Sequence, residues 1–206
     1  MATTTPNYGW TVPTSTDLVK DGATAIETLG DAIDASMNTA LGTKKAGMVL
    51  LNTTSFSGVA SQSINDVFSA TYNHYLIVID DLVRNTGAAL DIYLRLRVSG
   101  TDSTTGYYWG QGYSLFAASS SGSGSLNNGN HFTAAGCSST QRGFSQIWLQ
   151  NPFLAKQTGY QALQTRQDAG SYIAGYNSAT TSYTGFSIVA DSNNLSGSVS
   201  TYGFNK

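Results

Sequence analysis

Side chains able to do chemistry are scarce in this chain. Between residues 48 and 206 the carboxylates are Asp66, Asp80, Asp81, Asp91, Asp102, Asp168 and Asp191, and the only Glu of the chain, Glu27, lies earlier. Glycan hydrolysis commonly uses two carboxylates, one as acid and one as base or nucleophile. Asp80 and Asp81 are adjacent, so on a strand they should point to opposite faces and could not share a substrate. The other five sit beside turn residues or at strand ends, where Asp is favoured for its hydrogen bonds to nearby backbone. His74, His131 and Cys137 are the only residues of their kinds. A Cys/His dyad needs the two in contact and a third group orienting the base, and no nucleophile-elbow sequence surrounds them. Asp102-Ser103-Thr104-Thr105 and Asp191-Ser192-Asn193-Asn194 offer hard oxygens of the kind calcium takes, but they match no regular loop and suit Asx turns equally well. The expectation is a non-enzyme with no catalytic residues, no metal and no cofactor.

Binding is the chemistry that remains. Tyr107, Tyr108, Trp109 and Tyr113 cluster among Gly106, Gly110 and Gly112. Aromatic faces with Asn, Ser and Gln nearby suit sugar rings, so these four are the candidate glycan-binding residues. The competing reading is that alternate aromatics, Tyr108 and Trp148 among them, fill the core.

Composition narrows the partners. Of 206 residues only 11% are charged, against about 25% in ordinary soluble domains. The net charge is −2, and no basic run exceeds Lys44-Lys45. A nucleic-acid binder would need a Lys/Arg face to displace counterions from phosphates, so none is expected. No apolar run approaches the roughly 18 residues of a membrane span, and residues 1–10 lack the basic start and apolar stretch of a secretory signal. A lone cysteine forms no internal disulfide. Aromatic and β-branched residues are too frequent for a disordered chain.

The elements that must position these residues fall into two regimes. Over 17–41, Val19, Ala23, Ile26, Leu29, Ile33, Met37 and Ala40 recur at steps of three and four, which predicts one helix. Thr16 is the expected N-cap, Asp17 and Asp21 suit the positive end of the dipole, and Gly42 is the expected stop. Val19, Ile26, Leu29, Ile33 and Met37 approximate an a/d seam, and Ile at such positions leans towards three strands. Packing on the chain's own β domain is the alternative. Before the helix, residues 1–16 read as an extended arm whose large aromatics, Tyr8 and Trp10, should dock on a partner. Residues 42–47 read as a linker.

From 48 to 206 the signals are those of strands. The expected strands are 49–51, 56–60, 75–80, 91–98, 107–116, 143–150, 160–166, 171–176, 185–190 and 195–204. Alternation is clearest at Ile92, Leu94, Leu96 and Val98, with Tyr93, Arg95 and Arg97 facing the other way. Eight to ten short strands separated by turn residues read as an antiparallel β-sandwich or jelly roll. The Gly/Ser/Asn-rich stretch 119–130 reads as a long exposed loop. The expected fold is therefore mainly β, with an arm and a single coiled-coil helix in front of a sandwich.

Five segments carry a resemblance. Pro6-Asn7-Tyr8-Gly9-Trp10, Pro13-Thr14-Ser15-Thr16-Asp17-Leu18-Val19-Lys20-Asp21-Gly22-Ala23 and Leu29-Gly30-Asp31-Ala32-Ile33-Asp34 resemble the start of many tailed-bacteriophage virion proteins of the tail-fibre, head-fibre or minor structural kind. More loosely, Ser63-Ile64-Asn65-Asp66-Val67-Phe68 and Tyr93-Leu94-Arg95-Leu96-Arg97-Val98-Ser99-Gly100-Thr101-Asp102 resemble a phage appendage domain. The resemblance implies a virion appendage assembled in the bacterial cytoplasm, a homotrimer whose N-terminal arm contacts other virion proteins of tail or capsid through Tyr8 and Trp10. The β domain would be outermost and could bind host-surface glycan. The alternatives are a head-fibre or decoration protein without a receptor and a glycan depolymerase.

Overall fold

The computed structural model describes residues 3–16, 18–41, 47–88, 90–116 and 118–205. Asp17 and most of the expected linker lie outside them. The chain divides into two units, Met1–Ala46 and Gly47–Lys206.

In the first unit the expected extended arm doubles back. Strand β1 (Thr3–Thr4) pairs antiparallel with β2 (Thr11–Val12), with Thr3 opposite Val12. Thr5 N–H donates to the Trp10 carbonyl at 2.9 Å, and Gly9, at φ +66°, supplies the left-handed step that closes the turn. The helix then begins with a 3₁₀ turn, Val19–Asp21, that runs into α1 (Gly22–Leu41). Its N-cap is Leu18, with no side-chain cap bond, so the expected cap at Thr16 stands too far upstream. Thr28 and Thr39 return their hydroxyls to the carbonyls of Thr24 and Ala35, each at 2.8 Å. No described residue of this unit is buried.

The second unit is mainly antiparallel β. Its larger sheet has the order β3-β15-β5-β11-β12-β13-β8-β9. These strands are β3 (Met48–Val59), β5 (Tyr72–Arg84), β8 (Tyr107–Leu115), β9 (Ser120–Gly129), β11 (Gly143–Gln150), β12 (Thr158–Arg166), β13 (Ala169–Asn177) and β15 (Leu195–Asn205). The smaller sheet runs β10-β6-β14-β4, with β7 on β6; it comprises β4 (Ser61–Ile64), β6 (Leu90–Val98), β7 (Thr101–Asp102), β10 (Phe132–Cys137) and β14 (Gly185–Ala190). One core lies between the sheets: Ile92, Leu94, Leu96, Phe132, Phe186 and Ile188 from the smaller, and Ile77, Ile79, Ile147, Leu149, Tyr160 and Ile173 from the larger. Phe132 and Tyr160 stack across it with centroids 4.1 Å apart. The alternation at 92–98 points as the sequence says, and Val199, Thr201 and Gly203 likewise turn inward.

Two expectations are corrected. The stretch 119–130 is not a loop: Ser120–Gly129 forms β9, paired along β8. Its Gly-Ser repeat has period two, so Ser121, Ser123 and Ser125 are exposed while Gly122 and Gly124 lie under Tyr113 and Gln111. Nor do Asp80 and Asp81 face opposite ways. Asp81 takes φ +55° where the pairing with β11 and β15 slips register, and both carboxylates end exposed. Asp81 forms a 2.5 Å ion pair with Arg142.

Candidate functional site

Where β6 and β10 of the smaller sheet approach β8, β12 and β13 of the larger, the layers leave a cavity of about 330 Å³. Asp91 enters from β6, Gln111, Tyr113 and Leu115 from β8, Gln164 and Arg166 from β12, and Ser171 from β13. The β6–β10 register sets Asp91 opposite Gly136, and a Cβ on that glycine would stand 3.3 Å from Arg166 Nη1. The missing side chain is what gives the guanidinium its place.

The walls are fixed by hydrogen bonds. Gln164 is 5% exposed; its Nε2 donates to the Thr133 carbonyl at 3.0 Å and its Oε1 accepts from Ser171 Oγ at 3.3 Å. The Tyr160 hydroxyl donates to the same carbonyl, at the point where β10 shifts register on β6. At the β12–β13 turn Arg166 Nε donates to Asp168 Oδ1 at 2.6 Å, which holds the Asp168 carboxyl below its ordinary range. Asp91 is solvent-accessible yet crowded by protein. That crowding hinders hydration of its charge and raises its pKa, Arg166 pulls it down and Asp191 adds to the rise.

His131 stacks on Tyr93 with centroids 3.6 Å apart, and its Nδ1 lies 2.5 Å from Asn130 Oδ1. Burial first, then Arg95, pushes the imidazole down to about 4, so it is neutral at physiological pH. Cys137 is buried and its thiol pushed up to about 11, so it presents no thiolate nucleophile. His74 is exposed. Asp102 accepts from Arg97 and from Ser187 Oγ, an arrangement that ties β7 to β6 and β14. Among the described residues no three His, Cys, Asp or Glu side chains converge as metal ligands. No helix of the described residues is long and apolar enough to cross a membrane.

The four candidate glycan-binding aromatics do not form one patch, because β8 alternates. Tyr107 is fully buried, its hydroxyl accepting from Leu96 N–H and donating to the Ser103 carbonyl, so its place is in the core. Trp109 packs against the core and donates Nε1–H to the His131 carbonyl at 3.1 Å. Tyr108 lies on the other face, stacked on Tyr176 at 5.0 Å. Only Tyr113 reaches the cavity. Trp148, assigned to the core in the competing reading, is 40% exposed.

That other face is a second candidate surface. Phe144, Trp148, Leu163, Tyr172 and Tyr176 are all exposed on it. The cross-strand rows from Tyr202 through Leu76 and Trp148 to Ser125, and from Ser200 through Val78 and Leu163 to Ser123, contain no charged residue.

The five expected seam residues divide as well. Val19 belongs to the 3₁₀ turn and is 96% exposed; Ile26 and Met37 are exposed, while Leu29 and Ile33 are half-covered. Tyr8 is exposed and stacks on Trp10 at 5.1 Å.

Sequence reasoning missed Asp91, Gln111, Gln164 and Arg166. Gln164 had a legible signal, since it occupies an inward position of an alternating strand, where a polar residue needs partners. Asp91 and Arg166 had none, because each looks like an ordinary strand-end charge. Comparison with protein-family models, curated proteins and solved structures gives no match to this chain.

Proposed function

We propose that the chain is a bacteriophage virion structural protein, a short homotrimeric fibre with a β-sandwich knob that binds host-surface glycan and catalyses nothing. The observation that carries the reading is the first unit: an α-helix with Ile26 and Met37 exposed and no buried residue among those described. Most helical stability in proteins comes from packing of an apolar face, and the side of α1 that carries Ile26 and Met37 is left open for surface supplied by another chain. Copies of the same helix, joined along Ile26, Leu29, Ile33 and Met37 as a trimeric coiled coil, supply it most simply. The hairpin, with Tyr8 outermost, would meet other virion proteins. Three linked knobs would turn weak single-site binding into avidity.

The uncharged aromatic face of the larger sheet favours a second reading, a decoration protein that lies against its neighbours without a receptor. Contiguous exposed apolar surface of that kind marks protein contact.

Sedimentation equilibrium of the full chain tests the assembly. The expected mass is three times the 21.7 kDa of the chain, falling to that of a monomer for Ile26→Asp with Ile33→Asp. A monomeric wild type, or a double variant that stays trimeric, would remove the helix from its proposed role.

A further inference from the structure

We infer that the cavity between the sheets seats one ring of a neutral saccharide, with Asp91, Gln111 and Arg166 holding its hydroxyls and Tyr113 forming its apolar wall. This deepens the glycan-binding reading above and rests on it.

Charge sets the ligand class. Asp91 and Arg166 bring opposite charges to one cavity, so neither an anion nor a cation is matched by the whole site. A polyhydroxylated ring is matched, because each hydroxyl donates to a carboxylate or amide oxygen and accepts from a guanidinium or amide N–H. Asp91 is suited to this role, since its carboxylate is open to solvent yet incompletely hydrated, and a ligand hydroxyl restores what crowding removes. The volume lies within the roughly 300–1,000 Å³ of ordinary small-molecule sites.

The site is also built beforehand. Gln164 is locked between the Thr133 carbonyl and Ser171, so the wall does not have to order when a ligand enters. Tyr113 lies over Gly122, where any Cβ would overlap the phenol ring, and is 36% exposed. Its face can stack on the C–H side of a pyranose.

Saturation-transfer-difference NMR on the full chain tests this with maltose, lactose and N,N′-diacetylchitobiose, with digalacturonate and glucosamine as charged probes. At least one neutral disaccharide should bind. Tyr113→Ala and Asp91→Asn should each weaken that binding about tenfold, the loss expected for one stacking contact or one hydrogen bond to a charged group. Trp148→Ala on the far face should leave it unchanged, and near-ultraviolet circular dichroism should show all three variants folded. Neutral sugars lost in Trp148→Ala but retained in the cavity variants would overturn the cavity and leave glycan binding standing. Binding of only the charged probes would overturn the ligand class. Binding of none would overturn both the inference and the glycan reading beneath it.

Discussion

The Trp10 indole donates its Nε1–H to Ser36 Oγ at 2.8 Å, a contact 26 positions apart in the chain. It lays the N-terminal hairpin along α1, on the side where Ala25, Ala32 and Ser36 are partly covered. Trp10 is therefore already engaged within its own unit, and of the two expected anchoring aromatics Tyr8 presents the freer face. The helix offers one side to its own hairpin and leaves Ile26 and Met37 open.

Trp10→Phe keeps the ring and removes the donor. Loss of this hydrogen bond should cost about 1 kcal/mol locally. Amide exchange over residues 3–12 should quicken while that of the β unit stays unchanged. Equal exchange in both proteins would mean that the hairpin is not held by this contact.

Tyr107 separates a core role from a binding role. Its hydroxyl bridges Leu96 N–H and the Ser103 carbonyl, so Tyr107→Phe strands one buried and one partly buried backbone group. Urea unfolding should show a loss of about 1–3 kcal/mol, with saccharide binding intact. Unchanged stability together with weakened binding would return Tyr107 to the ligand site.

His131 makes stability pH-dependent. Its folded pKa, about 4, lies below the ordinary 6.5, so above pH 6.5 the imidazole is neutral in both states. As pH falls from 6.5 towards 4 the unfolded chain takes up a proton that the folded chain refuses, and stability declines through that window. The urea midpoint of the wild type minus that of His131→Gln should slope downward there and level off below it. A flat difference would contradict the neutral, half-buried imidazole.

Asp91 has the opposite sign. Its carboxyl is held above the ordinary value of 3.8, so at neutral pH the fold bears the cost of an under-hydrated charge. Asp91→Asn should raise the melting temperature at pH 7 and lose that advantage at pH values below 3.8, where the group is protonated in both states. A variant that is more stable yet binds less well identifies a side chain kept for a ligand. A less stable variant would make the Asp91–Arg166 attraction structural.

How far the sequence could be read depended on where alternation was visible. At Ile92, Leu94 and Leu96 every second residue is aliphatic, and strand, face and core followed directly. Strand β10 reads Phe-Thr-Ala-Ala-Gly-Cys and is buried at five of its six positions, so it has no alternation to detect. Strand β9 does alternate, but between Ser and Gly, a contrast in side-chain size that hydrophobic patterning does not register. The bulge at Asp81 undid the opposite-face reading, because one left-handed residue resets the pleat. At the candidate site Tyr113 was named from its neighbours in sequence, but the cavity draws residues from β6, β8, β12 and β13, and that convergence arises from strand order.

The central claim, a trimeric virion appendage, is tested most directly by cryo-electron microscopy of intact particles. Threefold density is expected at the tail or on the capsid surface, into which three copies of the β unit fit. Particles that lack the chain altogether would contradict it.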